Sequence, residues 1–215
     1  MRLLCFLGVS FLLISSSIAE ANSQWRLDKD EEGIQVYLRN TSDSAVKSFK
    51  SNMTVNGSLS SVLSVIEDID SYPRWLHNCR SAKVLQSTSE TQSVVYVVTD
   101  MPWPVVDRDA AFTSHRIQNK TNKRIEIKLS VLPKVVANVA GKVRIQKLQG
   151  RWLLTPLEKG KINVVYEMSI DPGGNIPKWV VNAMAVDLPF YTLKKLRKIS
   201  KEDKYATAKV KGIIE

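Results

Sequence analysis

Apolar and polar residues alternate one for one along most of this chain. Between 161 and 170, Ile162, Val164, Tyr166, Met168 and Ile170 fall on one side, with Lys161, Asn163, Glu167 and Ser169 opposite. That is the period-2 pattern of a strand with one buried face. Residues 34–38 repeat it through Ile34, Val36 and Leu38, and residues 47–55 through Phe49, Met53 and Val55. Further strands are predicted over 82–86, 93–99, 108–117, 124–131, 143–148 and 151–155. Many consecutive strands with short breaks predict an antiparallel meander.

Helical spacing interrupts this pattern in two places. Leu59, Val62, Leu63 and Ile66 predict a helix over 58–69 with a serine as its N-cap, and a short helix follows through Tyr72, Trp75 and Leu76. The turn Asp171-Pro172-Gly173-Gly174 opens a long helix over 176–200, roughly 37 Å at 1.5 Å per residue. From Ile176 to Leu193 this helix is apolar nearly all round, broken by Lys178, Asn182 and Asp187. Its last turns narrow to Leu193, Leu196 and Ile199, and Pro189 in its interior predicts a kink. An apolar helix of this kind must be enclosed, and a sheet covers only one side. Either ordinary core packing or a ligand covers the rest. The tail, 201–215, is polar and is predicted to be loosely held.

The first residues carry one basic side chain, an apolar run from Leu3 to Ile14, and Ala19-Glu20-Ala21. These are the parts of a secretory signal peptide, so residues 1–21 are predicted to be removed on export, to the periplasm or outside the cell. The apolar run is short for a membrane anchor. The mature chain, 22–215, has the length of one domain. It keeps only Cys79, which excludes an internal disulfide and C-x-x-C chemistry and reads as a small buried hydrophobe. The formal net charge of +10 either draws the protein to anionic partners, such as a membrane surface, or serves solubility. Three glycosylation sequons, at Asn40, Asn52 and Asn56, matter only in a eukaryotic source.

Signals of chemistry are sparse. His77 and His115 are far apart in sequence, and no metal-protease, nucleophile-elbow, phosphate-loop or dinucleotide motif occurs. Cys79 reads as a structural residue and its histidine companions as surface residues. Aromatic and basic residues do not interleave as nucleic-acid binding requires. One segment stands apart: Met101-Pro102-Trp103-Pro104-Val105-Val106-Asp107-Arg108-Asp109 puts a proline-flanked aromatic before three charges that enter an alternating strand. Arg108 shares a face with Ala110, Phe112 and Ser114, so its charge must find a neighbouring acid or meet a polar ligand group.

Taken with Gly150-Arg151-Trp152-Leu153-Leu154-Thr155-Pro156, Ile176-Pro177-Lys178-Trp179, Thr192-Leu193 and Leu196-Arg197, these residues resemble the START family of lipid-transfer domains. Trp75 and the stretch from Cys79 to Val84-Leu85 sit where the family carries similar residues. The resemblance spans nearly the whole mature chain in consistent order. It implies an α+β helix-grip fold of the Bet v 1-like superfamily, a curved antiparallel sheet wrapped around the C-terminal helix with an internal hydrophobic tunnel. It also implies a carried or sensed lipid, no cofactor and no catalytic chemistry. Arg108 matches an arginine that faces the tunnel in several members. Its acidic partner in sterol carriers aligns with Ser81, which leaves Arg108 for Asp107, Asp109 or an anionic headgroup.

On this reading the ligand-binding residues are Arg108, Phe112, Tyr166, Met168, Val180, Ala183, Met184 and Tyr191. The apolar loop 132–141 is expected at the tunnel mouth, either as packed core or as a lid. As a lid, Pro133, Lys134, Val135 and Val136 touch a bilayer, with Lys134 and Lys142 near anionic headgroups. Two other readings stand beside lipid binding. One is a polyketide-cyclase-like enzyme using His115, Tyr166 or Asp109 in the same cavity. The other is a ligand-free structural partner with a solid core.

Overall fold

The computed structural model describes residues 24–40 and 48–215. The predicted leader and the first residue of the strand predicted over 47–55 lie outside that range. Ten strands form one sheet: β1 (Arg26–Glu31), β2 (Ile34–Arg39), β3 (Ser48–Asn56), β4 (Cys79–Ser89), β5 (Gln92–Thr99), β6 (Asp107–Gln118), β7 (Ile125–Val131), β8 (Lys142–Arg144), β9 (Lys147–Leu157) and β10 (Lys161–Asp171). The order is β1-β2-β3-β10-β9-β7-β6-β5-β4, and the short β8 runs parallel to the start of β6. The fold is α+β, a curved and mostly antiparallel sheet with a long C-terminal helix, as the alternation and the resemblance led us to expect.

Alternation decides which face is buried. On β10, Ile162, Val164, Tyr166 and Met168 all point into the core. β9 and β10 approach closely at Gly150: a methyl group there would stand 2.7 Å from the Glu167 carbonyl oxygen and 3.3 Å from Met168 Cγ. β1 was not predicted, because Arg-Leu-Asp-Lys-Asp-Glu holds one apolar residue; its ladder with β2 makes it a strand.

Four helices lie among the described residues: α1 (Leu59–Glu67), α2 (Tyr72–Trp75), α3 (Lys178–Ile199) and α4 (Asp203–Ala206), with a 3-10 turn (Ile69–Ser71) between the first two. Ser58 caps α1, its hydroxyl accepting from Ser61 N at 3.0 Å. The two halves of α3 differ. Phe190, Leu193, Leu196 and Ile199 are at most 4% exposed and pack toward β2 and β3. In the first half Val180 and Met184 join only Met101, Val105 and Ile176, while Lys178, Trp179 and Asn182 face water.

The tail corrects the expectation of loose attachment. Tyr205 is 1% exposed and donates to Asp68 Oδ2 at 2.8 Å. The Glu215 carboxylate accepts from Leu59 N (2.8 Å) and Ser60 N (3.0 Å), the first amides of α1. Unpaired helix N-terminal amides favour an anion, and this one closes over them.

Candidate functional site

Sheet, α2 and α3 enclose an apolar cavity of about 80 Å³. β6 contributes Ala110 and Phe112, β10 contributes Tyr166 and Met168, and α3 contributes Met184 and Leu188. Its floor is aromatic. Trp152 stacks on Tyr166 with ring centroids 3.9 Å apart and an interplanar angle of 4°, and Trp75 meets Trp152 edge-on at 5.9 Å. Such stacked and edge-on pairs hold large apolar side chains against one another.

Of the residues named from the sequence, Phe112, Tyr166, Met168 and Met184 line this cavity. Val180 and Ala183 border instead a surface cleft of about 270 Å³, and Met184 borders both spaces. Tyr191 is 38% exposed and packs against Phe190 and His77 outside the cavity wall.

Arg108 is 2% exposed but does not border the cavity. Its guanidinium donates to three backbone carbonyls: Pro172 O at 3.3 Å, Gly173 O at 3.0 Å, and Val106 O. Among the described residues it forms no ion pair with a carboxylate. Asp107 instead pairs with Arg80 at 3.1 Å, and Asp109 pairs with Arg144. Burial lowers the proton affinity of Arg108, with Asp107 opposing. The expected choice between an acid and a ligand thus has a third outcome: two carbonyls of the loop ahead of α3 and one of the segment entering β6 supply the acceptors.

Arg144 was not singled out in the sequence. It grips Asp109 with two hydrogen bonds of 2.8 Å, and Tyr96 donates to the same carboxylate at 2.7 Å. Burial and that hydrogen bond push the Tyr96 phenol up to about 12. Arg144 also donates to Pro133 O (3.0 Å), Val136 O (2.7 Å) and Ala137 O (3.1 Å). Val136 packs on Tyr96, Val98 and Ala111, the face opposite Ala110 and Phe112. The first half of loop 132–141 is thereby tied to the outer face of the sheet. None of Pro133, Lys134, Val135 and Val136 borders the cavity; Lys134 and Val135 are exposed.

The residues named for acid–base work do not converge. Asp109 and His115 belong to the outer-face set of β6, whereas Tyr166 faces inward. Among the described residues, no three His, Cys, Asp or Glu side chains come together to hold a metal, and no helix is long and apolar enough to cross a membrane. Cys79 is buried at the cavity wall, which pushes its thiol up to about 11.

A residue that spacing did not reveal is His77, which borders the cavity. Its backbone N–H donates to Thr192 Oγ1 at 3.1 Å, and its ring lies 5.0 Å from that of Tyr191. Burial lowers its proton affinity, Lys195 adds to this, and Asp187 opposes it.

Comparison with known proteins agrees with this architecture. The START domain family model matches residues 13–204. An uncharacterised protein of Pseudomonas aeruginosa is 32% identical over 198 residues, covering 92% of this chain and 95% of the relative. The mouse phosphatidylcholine transfer protein is 23% identical over 169 residues, 76% of this chain and 78% of that protein. Among solved structures, the STAR-related lipid transfer protein of Xanthomonas axonopodis superposes with a TM-score of 0.76 at 31% identity, covering 83% of this chain and 99% of that one. Human StAR-related lipid transfer protein 5, at 19% identity, has a TM-score of 0.74 over 82% of this chain and 86% of its own, a likeness of fold. By its sequence and its helix-gripping sheet, this chain belongs to the START domain family.

Proposed function

We propose that the protein takes up one lipid-like amphiphile beneath α3 and carries it without chemical change. The observation that carries this reading is the apolar cavity closed by α2 and α3. At about 80 Å³ the void is smaller than the one of ~150 Å³ that admits benzene. A lipid therefore fits only when a wall moves. In the first half of α3, Val180 and Met184 pack with Met101, Val105 and Ile176 apart from the main core, and Met184 alone on that helix borders both the cavity and the surface cleft. Swinging Met184 aside joins the two spaces.

Around the same end, Trp103 is 89% exposed and Trp179 is 55% exposed, with Lys178 beside the latter. Amphipathic aromatics next to cations suit the interface of an anionic bilayer. We place the site of lipid exchange there, on a protein exported through its leader, 1–21. Lipid-transfer relatives of similar fold support this reading.

The test is to purify the full-length chain after expression and identify what organic solvent extracts from it. A stoichiometric lipid is expected, together with uptake from phosphatidylglycerol vesicles that weakens when Trp103 and Trp179 become alanine. A lipid-free protein that ignores such vesicles overturns the reading.

A further inference from the structure

We propose that the end of the sheet remote from the cleft is a second docking surface, and that its partner is an anionic lipid bilayer. Hairpin tips build it. The turn between β6 and β7 carries Lys120, Lys123 and Arg124; the turn between β9 and β10 carries Lys159, and Lys161 opens β10, all of them exposed. The ladders set these tips side by side. β7 opens at Ile125 opposite Leu154, and a little further along β9 Leu157 faces Lys161 across the next turn. Lys123 and Lys159 take the left-handed conformation, at φ 59° and 60°, which glycine or asparagine adopts more readily. The segment after α4 adds Lys209 and is knit to the first tip. Gln118 accepts from Ile214 N at 3.0 Å and donates to Ile214 O and Lys123 O, each at 2.8 Å.

Among the described residues none of these cations pairs with a carboxylate. The nearby acids are engaged elsewhere: Glu90 takes Lys211 at 2.8 Å, and Glu215 accepts from the first amides of α1. Glu158, in the second turn, is the remaining negative charge. Such a surface draws anions. Aliphatic side chains stand among the cations, with Ile117, Leu157 and Ile214 exposed at 44%, 46% and 41%. That mixture suits a headgroup layer, where cations meet phosphates and aliphatics enter the boundary beneath. A nucleic acid or acidic polysaccharide uses the charges and leaves the aliphatics in water. β6 runs 12 residues, about 36 Å. It starts at Asp107, which accepts from Met101 N at the cleft, and ends at Gln118 in this surface. A protein docked by both ends bridges two membranes. That consequence rests on the exchange site proposed above; the docking surface does not.

The test is sedimentation of the full-length chain with phosphatidylglycerol vesicles at low salt, in a Trp103→Ala, Trp179→Ala protein that lacks the contact at the cleft. Binding is expected to persist, to fall steeply as salt is added, and to be absent on phosphatidylcholine vesicles. Adding Lys120→Ser, Lys123→Asn, Arg124→Ser and Lys159→Asn should weaken it by roughly a few hundredfold, about fivefold for each cation near an anionic surface. Asparagine suits the left-handed positions, so the urea midpoint should stay where it is and report intact folding. Removing the same charge at Lys83, Lys134, Lys142 and Lys147 should cost less than about tenfold. An equal loss in that control, or full binding after the tip substitutions, overturns the inference. So does a DNA duplex held more tightly than vesicles at equal phosphate. The chain that keeps both tryptophans should also cluster vesicles in light scattering, and binding without clustering overturns the bridge. A lipid-free protein that still docks by its tips would sink the cavity reading and leave this one standing.

Discussion

Arg108 and Arg144 lie one residue pair apart across the β6–β8 ladder, both buried, and are sustained in opposite ways. Arg144 meets a full negative charge in two parallel hydrogen bonds, and three carbonyls take its remaining donors. Arg108 meets carbonyls alone. The difference shows in their proton affinities. The hydrogen bonds to Asp109 raise that of Arg144, whereas desolvation lowers that of Arg108. Dipoles satisfy a guanidinium's geometry without compensating its charge. One arginine is half of an ion pair that cannot be halved cheaply; the other is a cation the fold tolerates.

The comparison breaks or sharpens under substitution. Arg144→Met should cost most, about 3–5 kcal/mol, because Asp109 is then left charged and buried. Urea denaturation measures this, and adding Asp109→Leu should restore much of the loss. Tyr96→Phe comes next at about 1.5–3 kcal/mol, the range for a hydrogen bond to a charged acceptor. Arg108→Met should cost no more than about 2 kcal/mol, since the bared carbonyls are offset by relief of a desolvated charge. A loss equal to that of Arg144→Met would erase the distinction.

The smallest effect is in acid. Burial pushes the Asp109 carboxyl up, but hydrogen bonds from Arg144 and Tyr96 prevail and hold it below the ordinary carboxylate range. Its contribution to stability is complete above the unfolded value and lost as pH falls through the lower folded one. Wild type and Arg108→Met should share that acid limb, and Arg144→Met should flatten it.

Alternation along β10 and β6 made the sheet legible before any coordinates, and with it the inward places of Phe112, Tyr166 and Met168. Period-2 spacing also carried a warning that the expectations did not use: Asp107 and Asp109 flank Arg108 on the other side of the strand. Where each acid finds its partner depends on ladders that sequence does not state. Arg80 reaches Asp107 from β4, and Arg144 reaches Asp109 from β8. Loop 132–141 read as either a lid or packed core because its valines are apolar, yet carbonyl positions decide its course, and carbonyls are common to all residues. The tail looked loosely held because Tyr205 and Glu215 gain burial and a helix end only after α1 exists. His77 carries no periodic neighbour to mark it; one unpartnered nitrogen, visible only in three dimensions, sets it apart.

At Gly150 the width of the grip rests on a hydrogen atom. The carbonyl of Glu167 and the side chain of Met168 occupy the room a methyl would need. Any larger residue must either pry the two strands apart, flattening the concavity, or lever Met168 inward and shrink the cavity it lines. Cavity size and sheet bend are thus tuned by a single missing carbon on β9.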